Sequence, residues 1–118
     1  MRNNYVRVKG NLGDKPDIRK TQDGKEVVFL SVAVTDTYYD KNLKEWKNTD
    51  TQWFKASAFT PLNVSEAKHL SKGSLVSIEG KLKTTKYKDD RGKDRVGIEI
   101  IVSSLEEVVR RKSGEGAS

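Results

Sequence analysis

The chain contains no cysteine and one histidine, His69, so it has neither a disulfide framework nor the ligand set of a structural zinc site. The opening segment MRNNYVRVKG lacks the apolar stretch of a secretory leader, and no run approaches the roughly 18 apolar residues of a membrane span. Neither a Walker A motif nor G-x-G-x-x-G is present, so a nucleotide cradle is not supported. His69 falls on an expected helix with no nucleophile at a recognisable spacing. Asp89-Asp90 falls in an expected turn, where aspartate serves local hydrogen bonding rather than an acid–base dyad. The expectation from these absences is a soluble, cytosolic protein with no membrane partner, metal or cofactor, and one that is not an enzyme.

What is present is charge. The 118 residues fit one domain, and charged and hydrophobic residues each make up 34% of them, so the core must be small. Lys and Arg outnumber Asp and Glu by 23 to 17, a formal net charge of +6. That excess suits a polyanionic partner such as nucleic acid and equally serves solubility; charge alone does not choose between the two.

The apolar pattern has mostly period two, the signature of half-buried strands. From Asn4 to Leu12, Val6, Val8 and Leu12 alternate with Tyr5, Arg7, Lys9 and Asn11. After a Gly- and Pro-containing loop and the Asp23-Gly24 turn comes the most hydrophobic run, Glu26 to Thr35. Val28, Leu30, Val32 and Val34 form one of its faces, and Val27, Phe29, Ser31, Ala33 and Thr35 a mixed second one. Asp36 to Asp50 is polar, carries Tyr38, Tyr39 and Trp46, and reads as a long loop or flexible hairpin of the kind that is often functional. A third strand spans Gln52 to Thr60. Helical spacing follows from about Leu62 to Ser71, with Gly73 where a C-terminal cap belongs. A fourth strand, Leu75 to Tyr87, turns at Asp89 to Lys93 and returns through Val96, Ile98, Ile100 and Val102. Residues 1–108 are expected to form the domain, and the polar, glycine-rich 109–118 a disordered tail. Five strands with a helix between the third and fourth is the order of the OB-fold, a five-stranded Greek-key barrel in the all-β class that commonly binds single-stranded nucleic acid or oligosaccharides.

The third strand is the most informative. Its even positions, Phe54, Ala56 and Ala58, suit a barrel core; its odd positions set Trp53 and Phe59 about 20 Å apart with Lys55 between. Bases stack on exposed rings at roughly 1–3 kcal/mol each with little regard to base identity, while cations meet phosphates. The competing reading is that both rings pack in the core or at a subunit interface. The fourth strand repeats the pattern: its non-core parity carries Lys81, Lys83 and Tyr87, with Lys86 and Lys88 beside them. From Lys81 to Arg95 seven basic residues face three acids. Two strands with the same mixture favour a nucleic-acid surface over a merely solvated hairpin. Tyr38 or Tyr39 is expected to continue the stacking path, and Trp46 either clamps a base or packs on the strands beneath.

Over about residues 4 to 105 the chain resembles the bacterial single-stranded DNA-binding proteins (SSB). The matching elements are VKGNLGDKPDIR (Val8 to Arg19), TQWFKASAF (Thr51 to Phe59), HLSKGSLVSIEGKLKTTKY (His69 to Tyr87) and KDDRGKDRVGIEIIV (Lys88 to Val102). The resemblance implies an OB-fold that assembles, with a tetramer favoured over a dimer, and wraps single-stranded DNA in replication, recombination and repair. It places Trp53, Phe59 and Tyr87 on base-stacking positions, with Tyr38 or Tyr39 near another. Arg19, Lys55, Lys72, Lys83 and Lys86 fall on basic positions of the binding surface, and the strand bearing Tyr5, Arg7 and Lys9 falls where subunits pair. Phe54 stands where many members carry histidine near a subunit contact. The sequence stops at Ser118 without the acidic tip through which many members recruit partner enzymes, so a truncation or a short form from a plasmid, phage or mobile element is expected. Two other readings share the fold: a dimeric primosomal accessory protein of the PriB type, and a protein-interaction domain whose aromatics form an interface.

Overall fold

The computed structural model describes residues 3–108; the tail expected over 109–118 lies outside the described residues. The domain is mostly β with one short helix. In chain order come β1 (Val6–Leu12), β2 (Asp17–Lys20), β3 (Glu26–Val34), β4 (Thr37–Asp40), β5 (Glu45–Asn48), β6 (Gln52–Ala58), α1 (Pro61–Ala67), β7 (Leu75–Lys88) and β8 (Asp94–Glu107).

Five long strands close on themselves. β1 pairs antiparallel with β7, β7 with β8 and β3 with β6; β6 and β8 run parallel; and β3 returns to β1 through Asn11–Ala33 and Leu12–Val32. The ring order is therefore β1-β3-β6-β8-β7. β1 has to leave β7 and reach β3 within a few residues, and Gly10 is where it does so. A side chain there would run into the Ala33 carbonyl across the seam, so the close approach needs glycine. β2 then pairs with the first half of β3, extending the line of β1 beyond the break at residues 13–16.

The inward parity of the strands fills the ring. Val28, Leu30, Val32, Ala56, Ala58, Val76, Ile78, Ile100 and Val102 are buried, as alternation requires of a closed barrel whose inner positions are apolar. Helix α1 packs against β8 and β3, with Val64 and Ala67 buried. Thr60 caps it, its hydroxyl accepting from the Asn63 N–H, and Pro61 occupies the first turn, where its missing N–H costs no helical bond. Asn63 donates from Nδ2 to the Ser103 carbonyl (3.2 Å) and ties the helix to β8.

The structure departs from the sequence expectation in two places and decides between alternatives in a third. The helix ends at Ala67 rather than near Ser71. His69 and Leu70 continue in tighter turns, donating to Glu66 and Ala67, and these still carry Leu70 into the core. Pro16 and Asp17 do not simply carry a loop, because Asp17 begins β2. The Asp36–Asp50 segment, left open between loop and hairpin, is a hairpin of β4 and β5. β2, β4 and β5 hold almost nothing but exposed residues, so they have no apolar alternation for a pattern search to find.

Candidate nucleic-acid interface

Outward-facing residues of four strands form one surface, and the register places them in rows. Across β3, β6, β8 and β7 the first row reads Phe29, Ser57, Ile101, Lys81, of which Ser57 is buried, and the second Ser31, Lys55, Glu99, Lys83. Trp53 stands opposite Ala33, Thr85 opposite Gly97 and Tyr87 opposite Arg95. A groove of about 540 Å³ runs along this edge, lined by Trp53, Lys55, Thr85, Tyr87, Gly97 and Glu99. Trp53 and Tyr87, 34 residues apart in sequence, thus meet with Lys55 in one trough.

The rings are open. Trp53 is 61% exposed and Phe59 51%, which rules out their burial inside the barrel. Trp53 is nonetheless held: the rim of its six-membered ring abuts Gly13, where any side chain would collide with it. Glycine at that position lets the rim of the indole come directly against the backbone. Gly13 itself is fixed by donating its N–H to the Ser31 carbonyl (2.9 Å).

Phe59 occupies a different place from Trp53. It lines a smaller, mostly apolar groove with Lys25, Pro61, Val64 and Lys68 beside α1, where Lys68 is paired with Glu26 at 2.9 Å. Arg19 lies on β2, its guanidinium bonded to the Asp17 carboxylate at 3.0 Å and set 5.9 Å from the centre of the Phe29 ring. Lys81 continues the outer row of β7 and borders a separate hollow with Asn4 and Tyr5. Lys72 is exposed in the turn between α1 and β7. The neighbouring Gly73 donates to the Leu12 carbonyl, which brings that turn beside the Gly13 seat.

Lys86 does not join Lys83 and Tyr87. Successive strand residues alternate sides, and Lys86 pairs with Val96 on the reverse of the ribbon, away from Tyr87 and Arg95. The tyrosines of the β4–β5 hairpin divide in the same way: Tyr38 pairs with Lys47 on one side, Tyr39 with Trp46 on the other. Trp46, expected either to clamp a base or to pack downward, is 70% exposed and stands edge-to-face with Tyr39, centroids 5.4 Å apart at 67°.

Sequence reasoning missed three members of the surface. Phe29 is exposed on the outer face of β3 beneath Arg19, and its place on the solvent parity of a hydrophobic strand was the available signal. Glu99 stands between Lys55 and Lys83, an acid in a basic row visible only once the register is known. The seat at Gly13 depends on a contact between residues 40 apart, which no local pattern carries. The turn after β7 behaves as expected of its aspartate. Asp89 accepts from the Arg91 and Lys93 amides and from Arg95 Nε (2.9 Å), and the Arg95 contact above all holds its carboxyl below the ordinary range. Among the described residues no cluster of metal-ligating side chains occurs, and no helix is long and apolar enough to cross a membrane.

Residues 3–108 match the model of the Single-strand binding protein family. The chain is 32% identical over 114 residues to the Single-stranded DNA-binding protein of Rhizobium meliloti (strain 1021), an alignment covering 96% of this chain and 65% of that relative's length. Among solved structures it resembles the Plasmodium falciparum SSB complex with ssDNA, with a TM-score of 0.79 and 27% identity over 92% of this chain and 97% of that one. It shares its fold with the small single-stranded DNA-binding protein from Streptomyces coelicolor (TM-score 0.76, 24% identity, 95% and 100% covered).

Proposed function

The chain belongs to the single-strand binding protein family, and from that premise we propose that it binds single-stranded DNA without regard to sequence and without chemistry. Its role is to hold unpaired strands in replication, recombination and repair. The observation that carries this reading is the open groove in which Trp53, Lys55 and Tyr87 meet. Two rings with a lysine beside them offer stacking to bases and charge to phosphates, and neither demands a particular base. We read the five-membered strand ring, with α1 between its third and fourth members, as the OB-fold barrel. Phe59, beside α1, receives a further part of the strand, and Arg19, Lys72, Lys81 and Lys83 meet its backbone.

The reading extends to assembly. β1 pairs with β7 along one side but touches β3 only at its last two residues, so Val6 to Gly10 present an unpaired edge among the described residues. An unpaired strand edge is a template for another strand, and we take it as the seam between two copies in a homotetramer. The family match favours this over the PriB-type reading. Cytosolic location fits the same role.

A titration of oligo(dT) of graded lengths at two salt concentrations tests the proposal. Tryptophan emission falls on binding, and log K declines against log salt with a slope of about −0.7 per phosphate neutralised. Equal affinity for duplex DNA counts against it. Light scattering separates tetramer from dimer.

A further inference from the structure

One acid interrupts the basic surface. The outward face of β8 reads Arg95, Gly97, Glu99 and Ile101. Glu99 has Lys55 on one side and Lys83 on the other, at the spacing of adjacent strands, about 4.8 Å. Among the described residues it forms a salt bridge with neither. Both lysines are exposed and have longer stems, whereas Glu99 is half-buried, so the acid sits low between them. It borders two hollows: the groove with Trp53, Thr85, Tyr87 and Gly97, and a smaller one of about 270 Å³ beside Lys15, Phe29 and Ser31. Gly97, the outward residue before it, has no side chain, and a Cβ there would stand 3.4 Å from Tyr87 Cε1. The Tyr87 ring therefore lies over β8, one outward position from the carboxylate.

We propose that Glu99 reads the edge of a stacked base, biasing the groove toward bases with an exocyclic amine and away from thymine and uracil. This deepens the single-strand reading and rests on it, adding a graded bias to a protein that takes any sequence. Height above the sheet sorts the parts of the strand. A phosphate brought down to the acid meets a like charge, while either exposed lysine offers it an opposite one. A base lying on Tyr87 or Trp53 is what comes close to the floor. There a carboxylate accepts hydrogen bonds and donates none. Cytosine, adenine and guanine each present an amine it can accept from. Thymine and uracil present one N–H between two carbonyl oxygens, which the carboxylate repels. An acid that only offset its two lysine neighbours would weaken every base alike.

Oligo(dC) and oligo(dU) of equal length separate the two cases, since their bases stack alike and differ on the pairing edge. Binding of each, labelled and followed by anisotropy, is compared between the unaltered protein and two variants. Glu99→Ala lowers the ratio of dC to dU affinity about fivefold. Glu99→Gln lowers it too, because an amide donates to a uracil carbonyl as readily as it accepts from a cytosine amine. Equal gains for dC and dU in Glu99→Ala overturn the edge reading and leave an acid that only tempers the basic row. Unchanged affinity for both overturns it as well and leaves the groove standing. Failure of the unaltered protein to bind any oligonucleotide overturns the single-strand reading and this inference with it.

Discussion

One strand, β7, lives in two environments. From Leu75 to Gly80 it belongs to the barrel, where Val76, Ile78 and Gly80 are buried against the ring interior. From Lys81 to Lys88 every residue is exposed, and among the described strands only β8 pairs with this half, with Asn4 bonded to the Leu82 backbone at its start. The register breaks at the junction: a bulge between Glu79 and Gly80 shifts the pairing from Ser104 to Val102 and changes the local twist. The same backbone ladder therefore serves a core in one half and a solvent-facing ribbon in the other. Apolar burial stabilises the first half. Nothing comparable holds the second, whose side chains are left available to a ligand.

Substitutions in the two halves should separate accordingly. Ile78→Ala in the buried half removes a fully enclosed side chain and should cost about 2–5 kcal/mol of stability, measured by urea unfolding. Tyr87→Ala in the exposed half should leave the unfolding midpoint within about 0.5 kcal/mol of the original, yet weaken oligo(dT) binding by about 1–3 kcal/mol. If Tyr87→Ala instead lowers stability as much as Ile78→Ala, the ribbon is packed against something and the contrast fails. Lys83→Ala sharpens the division further: the salt dependence of binding should lose about 0.7 from its log–log slope, with stability unchanged.

The smallest effect concerns the turn that joins the exposed halves of β7 and β8. Because Arg95 first, and the Lys93 and Arg91 amides with it, hold the Asp89 carboxyl below its ordinary value of 3.8, its ionised form is favoured in the folded chain. The contribution is complete above that ordinary value and disappears only as pH falls through the lowered one. A carboxyl titration by NMR should find the Asp89 midpoint under 3.8. A midpoint at or above that value would mean that the turn does not hold its Arg95 contact in solution.

How far the sequence foretold these features follows the same division. The barrel strands were legible because a closed wall needs apolar residues at every second position, and Val28, Leu30 and Val32 or Val76 and Ile78 supply them. Trp53, Lys55 and Tyr87 were legible because they interrupt that alternation on the solvent side, and the structure brings them to one groove. The β4–β5 arm resisted reading, since rings on both faces give no period. Lys86 came into the basic set from the family resemblance, and the pleat that sends adjacent residues to opposite sides sets it apart from Lys83 and Tyr87. Phe29, Glu99 and the Gly13 seat depend on which strands lie side by side, information held in distant pairings rather than in any local stretch.

The parallel contact between β6 and β8 has a consequence for how the chain comes into being. Of the described strands β8 is the last to be synthesised, and it supplies both the partner of β7 and the neighbour of β6 that completes the ring. While the polypeptide is still emerging from the ribosome, β6 has one edge waiting for a segment not yet made. Closure therefore waits for β8 to leave the ribosome, and the distant pairings it requires place this domain among the slower folders of its size.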